Sequence, residues 1–265
     1  MTRSIHGCAC NKCVVGQVFN LLDHRGETCA TVREEANNVV IVNPRVQPTV
    51  SADLIAQLGK IPPATIGHVL EHEFMDPGLR PLTTNFSFCG PAVTVRCFGT
   101  DSAIVHYAVD VAQPGDVVIV DRLGDLRYAC WGGGVALAAH VKGIAGAVVD
   151  GMLTDRVEIT EMPFHVFGRG LSPVTTRAPG LTGELNVPVR CGGVIVNAGD
   201  IILADDDGIL VLAPERVAAI IEEFMPRVLR EPEMHRQMRE GGVSLAERSG
   251  AKARIEETLR RQPGQ

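Results

Sequence analysis

Residues 114–156 read PGDVVIVDRLGDLRYACWGGGVALAAHVKGIAGAVVDGMLTDR, and the order of patterns inside this stretch decides the fold. The apolar run at 116–121 predicts a buried strand, and the triple glycine at 132–134 predicts a tight turn. Residues 135–142 then predict a helix, 145–149 a second buried strand, and 150–156 a polar loop. Strand, helical crossover, strand is the unit of a parallel sheet. Its two outgoing loops share one edge, where open α/β folds bind their ligands. One loop offers backbone N–H groups at a helix start; the other offers carboxylates.

Working outward, the same alternation of patterns predicts strands at 88–98, 164–167, 187–196 and 200–212, the last interrupted by Asp205-Asp206-Asp207-Gly208. Helices are expected at 51–59, 64–73, 103–112 and from Pro214 onward, where Val217, Ile220, Ile221 and Phe224 form one apolar face and Pro226 is expected to kink or end the helix. Three regions follow: an N-terminal extension at 1–50, a core at 51–215, and a C-terminal helical tail at 216–265.

The 265 residues are 45% apolar with a net charge of −6, enough to bury a large core and unsuited to a nucleic-acid backbone. No apolar run approaches the roughly 18 residues of a membrane span, and the N-terminus lacks a signal-peptide core. The expectation is therefore a cytoplasmic protein with no nucleic-acid or membrane partner. Two motifs near the start carry metal chemistry on paper. Cys8, Cys10 and Cys13, with His6, resemble a zinc clip without its partner knuckle. His68, Glu71 and His72 match H-x-x-E-H, which on a helix would put two imidazoles on one face; a polar helix surface is the plainer reading.

The glycine turn is the better site. Free N–H groups of Gly132, Gly133, Gly134 and Val135, at the positive end of a helix, favour a carboxylate or phosphate. No lysine follows, so this is no phosphate loop, and the spacing is not that of a dinucleotide fold. Asp150 and Asp155, with Asp121 and Asp125 expected nearby, offer the oxygen ligands that Mg²⁺ or Mn²⁺ prefers; as the alternative, Asp155 only caps the next helix. Twenty-one arginines stand against four lysines, and none of the lysines falls on these loops. A Schiff base is thus unavailable there, and a bound cation is the more economical electron sink for cleaving a carbon–carbon bond of a 2-oxo acid. An arginine should assist at the developing negative oxygen, with Arg156, Arg127 and Arg122 as candidates.

Taken in order, PGDVVIVD, WGGGVALAAHVKGIAGAVVDG, TD, FGRGLSP and GGVIVNAGDIILADDDGILVLAP resemble the RraA-like family over residues 58–215. That family includes the 4-hydroxy-4-methyl-2-oxoglutarate and 4-carboxy-4-hydroxy-2-oxoadipate aldolases, and members once named dimethylmenaquinone methyltransferases. The resemblance implies a swivelling, phosphohistidine-domain-like α/β/β core, homotrimers or homohexamers with sites between subunits, and metal-dependent cleavage or decarboxylation of a small 2-oxo acid. It assigns pyruvyl binding to Gly132–Val135 and the metal to Asp155. Two positions depart from the aldolase pattern: Thr154 stands where the clamping arginine is expected, and Gly133 where an acid is common. Three functions stay open at this level. They are a metal-dependent lyase, a non-catalytic regulator binding a ribonuclease or helicase, and a related lyase or hydrolase whose changed substrate Thr154 marks.

Overall fold

A computed structural model describes residues 38–262; the Cys8, Cys10 and Cys13 cluster lies outside the described residues. Four parallel strands form the centre of the sheet, in the order Ser87–Arg96, Val117–Asp121, Gly146–Asp150 and Val166–Gly168. All five residues of Val117–Asp121 are buried, as expected of a strand covered on both faces. Its side chains alternate: Val118 and Val120 enter the core beneath the helices, while Val117 and Ile119 enter a second core on the other face. Helices Ala103–Val111 and Gly133–Val141 cover the first face. Ala136 and Ala139 are fully buried, and their small side chains let the second helix lie close to the sheet.

The outer strands are antiparallel additions or extensions. Arg80–Pro81 pairs with Val166–Gly168, and Gly183–Leu185 pairs with the end of Ser87–Arg96. Val40–Val42 then pairs in parallel with Gly183–Leu185. The first half of the long strand turns instead to Ile201–Asp205, whose hairpin partner is Gly208–Leu212. A third core joins this hairpin to helices Ala52–Leu58 and Pro63–Gly67 and to the C-terminal helix Val217–Arg239. The tail ends in helices Leu245–Arg248 and Ala251–Arg261, which bury no residue. No described helix is long and apolar enough to cross a membrane.

Beyond the carboxyl ends of the central strands lies a second tier. Ala129–Trp131, Met152–Leu153 and Gly170–Leu171 make a small parallel sheet of their own. Several expectations change here. The loop predicted at 150–156 contains one of these strands, and the glycine-turn helix begins at Gly133 rather than Val135. The helix predicted at 64–73 stops at Gly67, because residues 73–75 are drawn against the hairpin edge: Met75 N–H donates to Ile209 O at 2.9 Å and Val211 N–H to Glu73 O at 3.0 Å. His68 caps that short helix and His72 lies beyond it, so the two imidazoles do not share a helix face. Among the described residues no group of three or more His, Cys, Asp or Glu can hold a metal. Pro226 does not end the C-terminal helix, which runs on through it and Pro232.

Candidate functional site

The second tier delivers Trp131-Gly132 and Leu153-Thr154-Asp155 side by side. Trp131 is fully buried and stacked at 6.1 Å on Phe164, which anchors the strand that ends at the glycine turn. Thr154 N–H donates to Trp131 O at 3.0 Å and fixes the two segments against each other. Asp155 sits in the left-handed region, φ 56°, at the N-cap of helix Arg156–Thr160, yet its side chain makes no cap bond to that helix. Its Oδ2 accepts instead from Gly133 N–H at 3.0 Å, at the first turn of the other helix. Oδ1 accepts from Thr154 Oγ1 at 3.2 Å. Asp155 thus caps a neighbour rather than its own helix.

This contact explains the glycines. A Cβ on Gly132 would come 2.5 Å from Asp155 Oδ2 and 2.8 Å from Thr154 Cγ2, and one on Gly133 would overlap the Glu158 carboxylate. A Cβ on Gly134 would meet nothing. A side chain at Gly132 would thus press on Asp155 and Thr154, one at Gly133 would displace the Glu158 side chain, and Gly134 leaves open space. Ala136 is the first residue of this helix whose N–H bonds back, to Gly132 O. Among the described residues the Gly134 and Val135 amides have no acceptor, as the first turn of a helix leaves them.

The arginines divide. Arg122 is buried: its guanidinium donates to Cys97 O at 2.9 Å, Gly99 O at 2.7 Å and Asp125 Oδ2 at 2.8 Å, and also contacts Cys97 Sγ. It ties down the loop after the strand. Arg127 is exposed, its guanidinium 5.5 Å from the Tyr128 ring, and its carbonyl accepts from Ser172 Oγ at 2.6 Å. Arg156 is exposed next to Asp155. Among the described residues no guanidinium bonds to Asp155.

Asp150 and Asp155, grouped by the sequence, part company. Asp150 and Asp121 are paired in register at the strand ends and line a separate cleft of about 590 Å³ with Asp76, Arg169 and Arg190. There Arg169 bridges Asp150 at 2.6 Å and Asp76 at 2.9 Å. Asp121 accepts from Leu123 N–H and Arg190 N–H. These carboxylates are committed to structure. The sequence reading missed Glu158, although an acid three residues after an Asp at a helix start is a pattern visible in the chain.

Three comparisons relate the chain to known proteins. The family model described as RraA-like, Aldolase/RraA, matches residues 63–211. A putative 4-hydroxy-4-methyl-2-oxoglutarate aldolase of Halalkalibacterium halodurans is 37% identical over 60% of this chain and 76% of its own length. The structure of Streptomyces coelicolor RraAS2, described as an unusual member of the RNase ES inhibitor RraA protein family, superposes with a TM-score of 0.64 at 27% identity. It covers 74% of this chain and all of that one. A structure described as an S-adenosylmethionine:2-dimethylmenaquinone methyltransferase of Geobacillus kaustophilus matches with a TM-score of 0.52 at 30% identity, over 56% of this chain and 92% of that one.

Proposed function

Since this chain belongs to the RraA-like aldolase/RraA family, we propose that it is a divalent-metal-dependent lyase acting on a small 2-oxo acid, by retro-aldol cleavage or by decarboxylation of the oxaloacetate type. The observation that carries this reading is one arrangement: the Asp155 carboxylate lies over bare glycines at the start of a helix whose next two amides are unbonded. The cradle fits Mg²⁺ or Mn²⁺, because exposed carboxylate oxygen is the donor these ions take and the glycines leave the space a Cβ would fill.

Each residue then has a task. Asp155 holds the cation, which when bound supplies the Lewis acidity that draws electrons out of the scissile bond. The Gly134 and Val135 amides hold the substrate carboxylate, aided by the positive end of helix Gly133–Val141. Thr154, hydrogen-bonded to Asp155, orients that carboxylate and borders the substrate. Arg127 and Arg156 are the exposed cations left to meet a developing negative oxygen, since Arg122 is spent on the loop. No lysine enters: Lys142 caps the far end of the helix.

The test is metal analysis with a pyruvate-release screen over 2-oxo acids, wild type against Asp155→Asn. Release that requires Mg²⁺ or Mn²⁺ and falls at least about a hundredfold in the variant supports the lyase. Release that survives both chelation and the substitution ends it. One observation favours the other reading, a regulator acting by surface contact: Thr154 occupies the arginine position, and among the described residues Asp155 is bonded to Gly133 N–H and Thr154 Oγ1 and to no guanidinium. A metal-free purified protein that captures a ribonuclease or helicase would establish that role.

A further inference from the structure

We propose that the cleft between helix Ala52–Leu58 and the amino-terminal edge of the central sheet binds an organic carboxylate with an apolar body, an aromatic or medium-chain acid, at a site separate from the glycine turn. The cleft has a volume of about 510 Å³, within the roughly 300–1,000 Å³ of small-molecule sites. Residues 114–116, which line it, lead into strand Val117–Asp121; the glycine turn lies beyond the opposite end of that strand. This site does not depend on the lyase reading.

The walls are apolar and the unspent charge on them is positive. Val50, Ile55, Pro91 and Pro114 supply carbon surface. Ala52 and Ala56, one turn apart on the helix, leave the space that longer side chains would take. Cys89 belongs to the wall too: burial pushes its thiol up to about 12, so it stays protonated and adds no negative charge. The one carboxylate among the lining residues, Asp116, is fully buried and already neutralised. It accepts from Gln113 N–H at 2.8 Å and from Arg45 Nε at 2.6 Å, with Arg45 Nη2 on its other oxygen. That pair fixes the Arg45 guanidinium and leaves Nη1 without an acceptor among the described residues. Lys60 is exposed at the cleft and pairs with no carboxylate among the described residues. Arg45 and Lys60 against Asp116 leave one net positive charge in the cleft of a chain whose net charge is −6. An acid can bury its body against the helix and keep its carboxylate in water beside Lys60 and Arg45 Nη1. Charge-assisted hydrogen bonds form there at little desolvation cost.

The probe is 4-phenylbutyrate, with its neutral amide as control, titrated into the full-length protein by calorimetry at low salt. Wild type, Ala56→Trp, Lys60→Met and Asp155→Asn are compared, each with a thermal melt in the absence of probe. The expected result is a Kd on the order of 1 mM or tighter for the acid, the strength its size allows, with weaker binding of the amide. Ala56→Trp, which fills the cleft from an exposed helix position, should abolish binding. Lys60→Met should weaken it by up to about fivefold and flatten its salt dependence. Asp155→Asn should bind as wild type does. Loss in Asp155→Asn with retention in Ala56→Trp would place the acid at the glycine turn and overturn the cleft assignment. Equal binding of acid and amide would overturn the carboxylate, and no binding of either by wild type ends the proposal. Should Ala56→Trp not fold, Ala52→Trp and the ¹³C-methyl shifts of Val50 and Ile55 during the titration decide the same question. Methyls that move support the site; methyls that stay in place while the acid binds refute it.

Discussion

Asp155 shows how a single backbone conformation aims a functional group. A left-handed conformation is costly for most side chains and tolerated by Asp and Asn. Here it is held from both sides, by Thr154 N–H on Trp131 O and by Ile159 N–H on Asp155 O, each at 3.0 Å. That geometry turns the carboxylate off its own helix and onto Gly133. We predict that Asp155→Asn melts within a few degrees of wild type, whereas Asp155→Val, β-branched in the same conformation, loses about 1–3 kcal/mol in urea unfolding. Equal stability of the two variants would show that the conformation relaxes at little cost. Asp101 illustrates a carboxylate with a purely structural task. Burial pushes its carboxyl up, but the N–H groups of Ala103, Leu181, Thr182 and Gly180 point at it and bring the net shift below the ordinary carboxylate value. A depressed folded pKa means the stabilisation is present above the unfolded value, near 3.9, and lost as pH falls through the folded one. Asp101→Asn should thus cost about 1–3 kcal/mol at pH 7, with the gap to wild type closing toward pH 3 in parallel urea melts. A gap independent of pH would remove the charge from the account.

At the scale of elements, long patterns were legible and short ones were not. Val117–Asp121 and Gly146–Asp150 are continuous apolar runs, and the helix between them could be placed to within two residues. The second-tier strands are two or three residues long, too short for any period to register. They matter most for the site, since they separate Asp155 from Asp150 and set Glu158 over Gly133. The glycine turn and Asp155, which the structure brings into contact, stand out in the sequence because a helix start and an acidic loop leave local marks. Glu158 and the burial of Arg122 depend on which segments meet across the fold. The helix expected at 64–73 failed for a similar reason, a non-local hairpin edge outweighing local propensity. Pro226 failed in the opposite sense. The face formed by Val217, Ile220, Ile221 and Phe224 is buried, and that packing carries the helix on past a residue with no N–H to give. Pro226 itself is exposed. We predict that Pro226→Ala gains about 1–2 kcal/mol, the restored hydrogen bond offset in part by a freer unfolded chain, seen as a higher melting temperature by circular dichroism. A lower one would mean that the proline is required for the path of the helix.

For the whole molecule, the surface around the site suggests an incomplete protomer. Val157 is 71% exposed beside Asp155, and Val141 77% exposed at the end of the glycine-turn helix; Leu126, Leu137, Leu171 and Val174 are also exposed. The loop of Leu126 and Arg127 is tied to the segment of Leu171 and Val174 through Ser172 Oγ and Arg127 O. Apolar exposure of this kind around polar groups marks an interface more often than bare surface. The resemblance to the family points the same way, toward trimers or hexamers with sites between subunits. It also offers a source for the guanidinium that Thr154 does not supply: Arg127 of one subunit facing the glycine turn of the next. Sedimentation should therefore give a closed trimer or hexamer, and Val157→Glu should release folded, inactive monomers. The decisive experiment pairs Asp155→Asn with Arg127→Ala. Each alone should be inactive, because every site lacks one of its two groups. Mixed and allowed to exchange subunits, a heterologous ring recreates sites with an intact Asp155 and an intact neighbouring Arg127 in about a quarter of the positions, and pyruvate release should return to that fraction of wild type. An exchange confirmed by mass spectrometry with no activity regained would put both groups on one chain, or remove Arg127 from the chemistry.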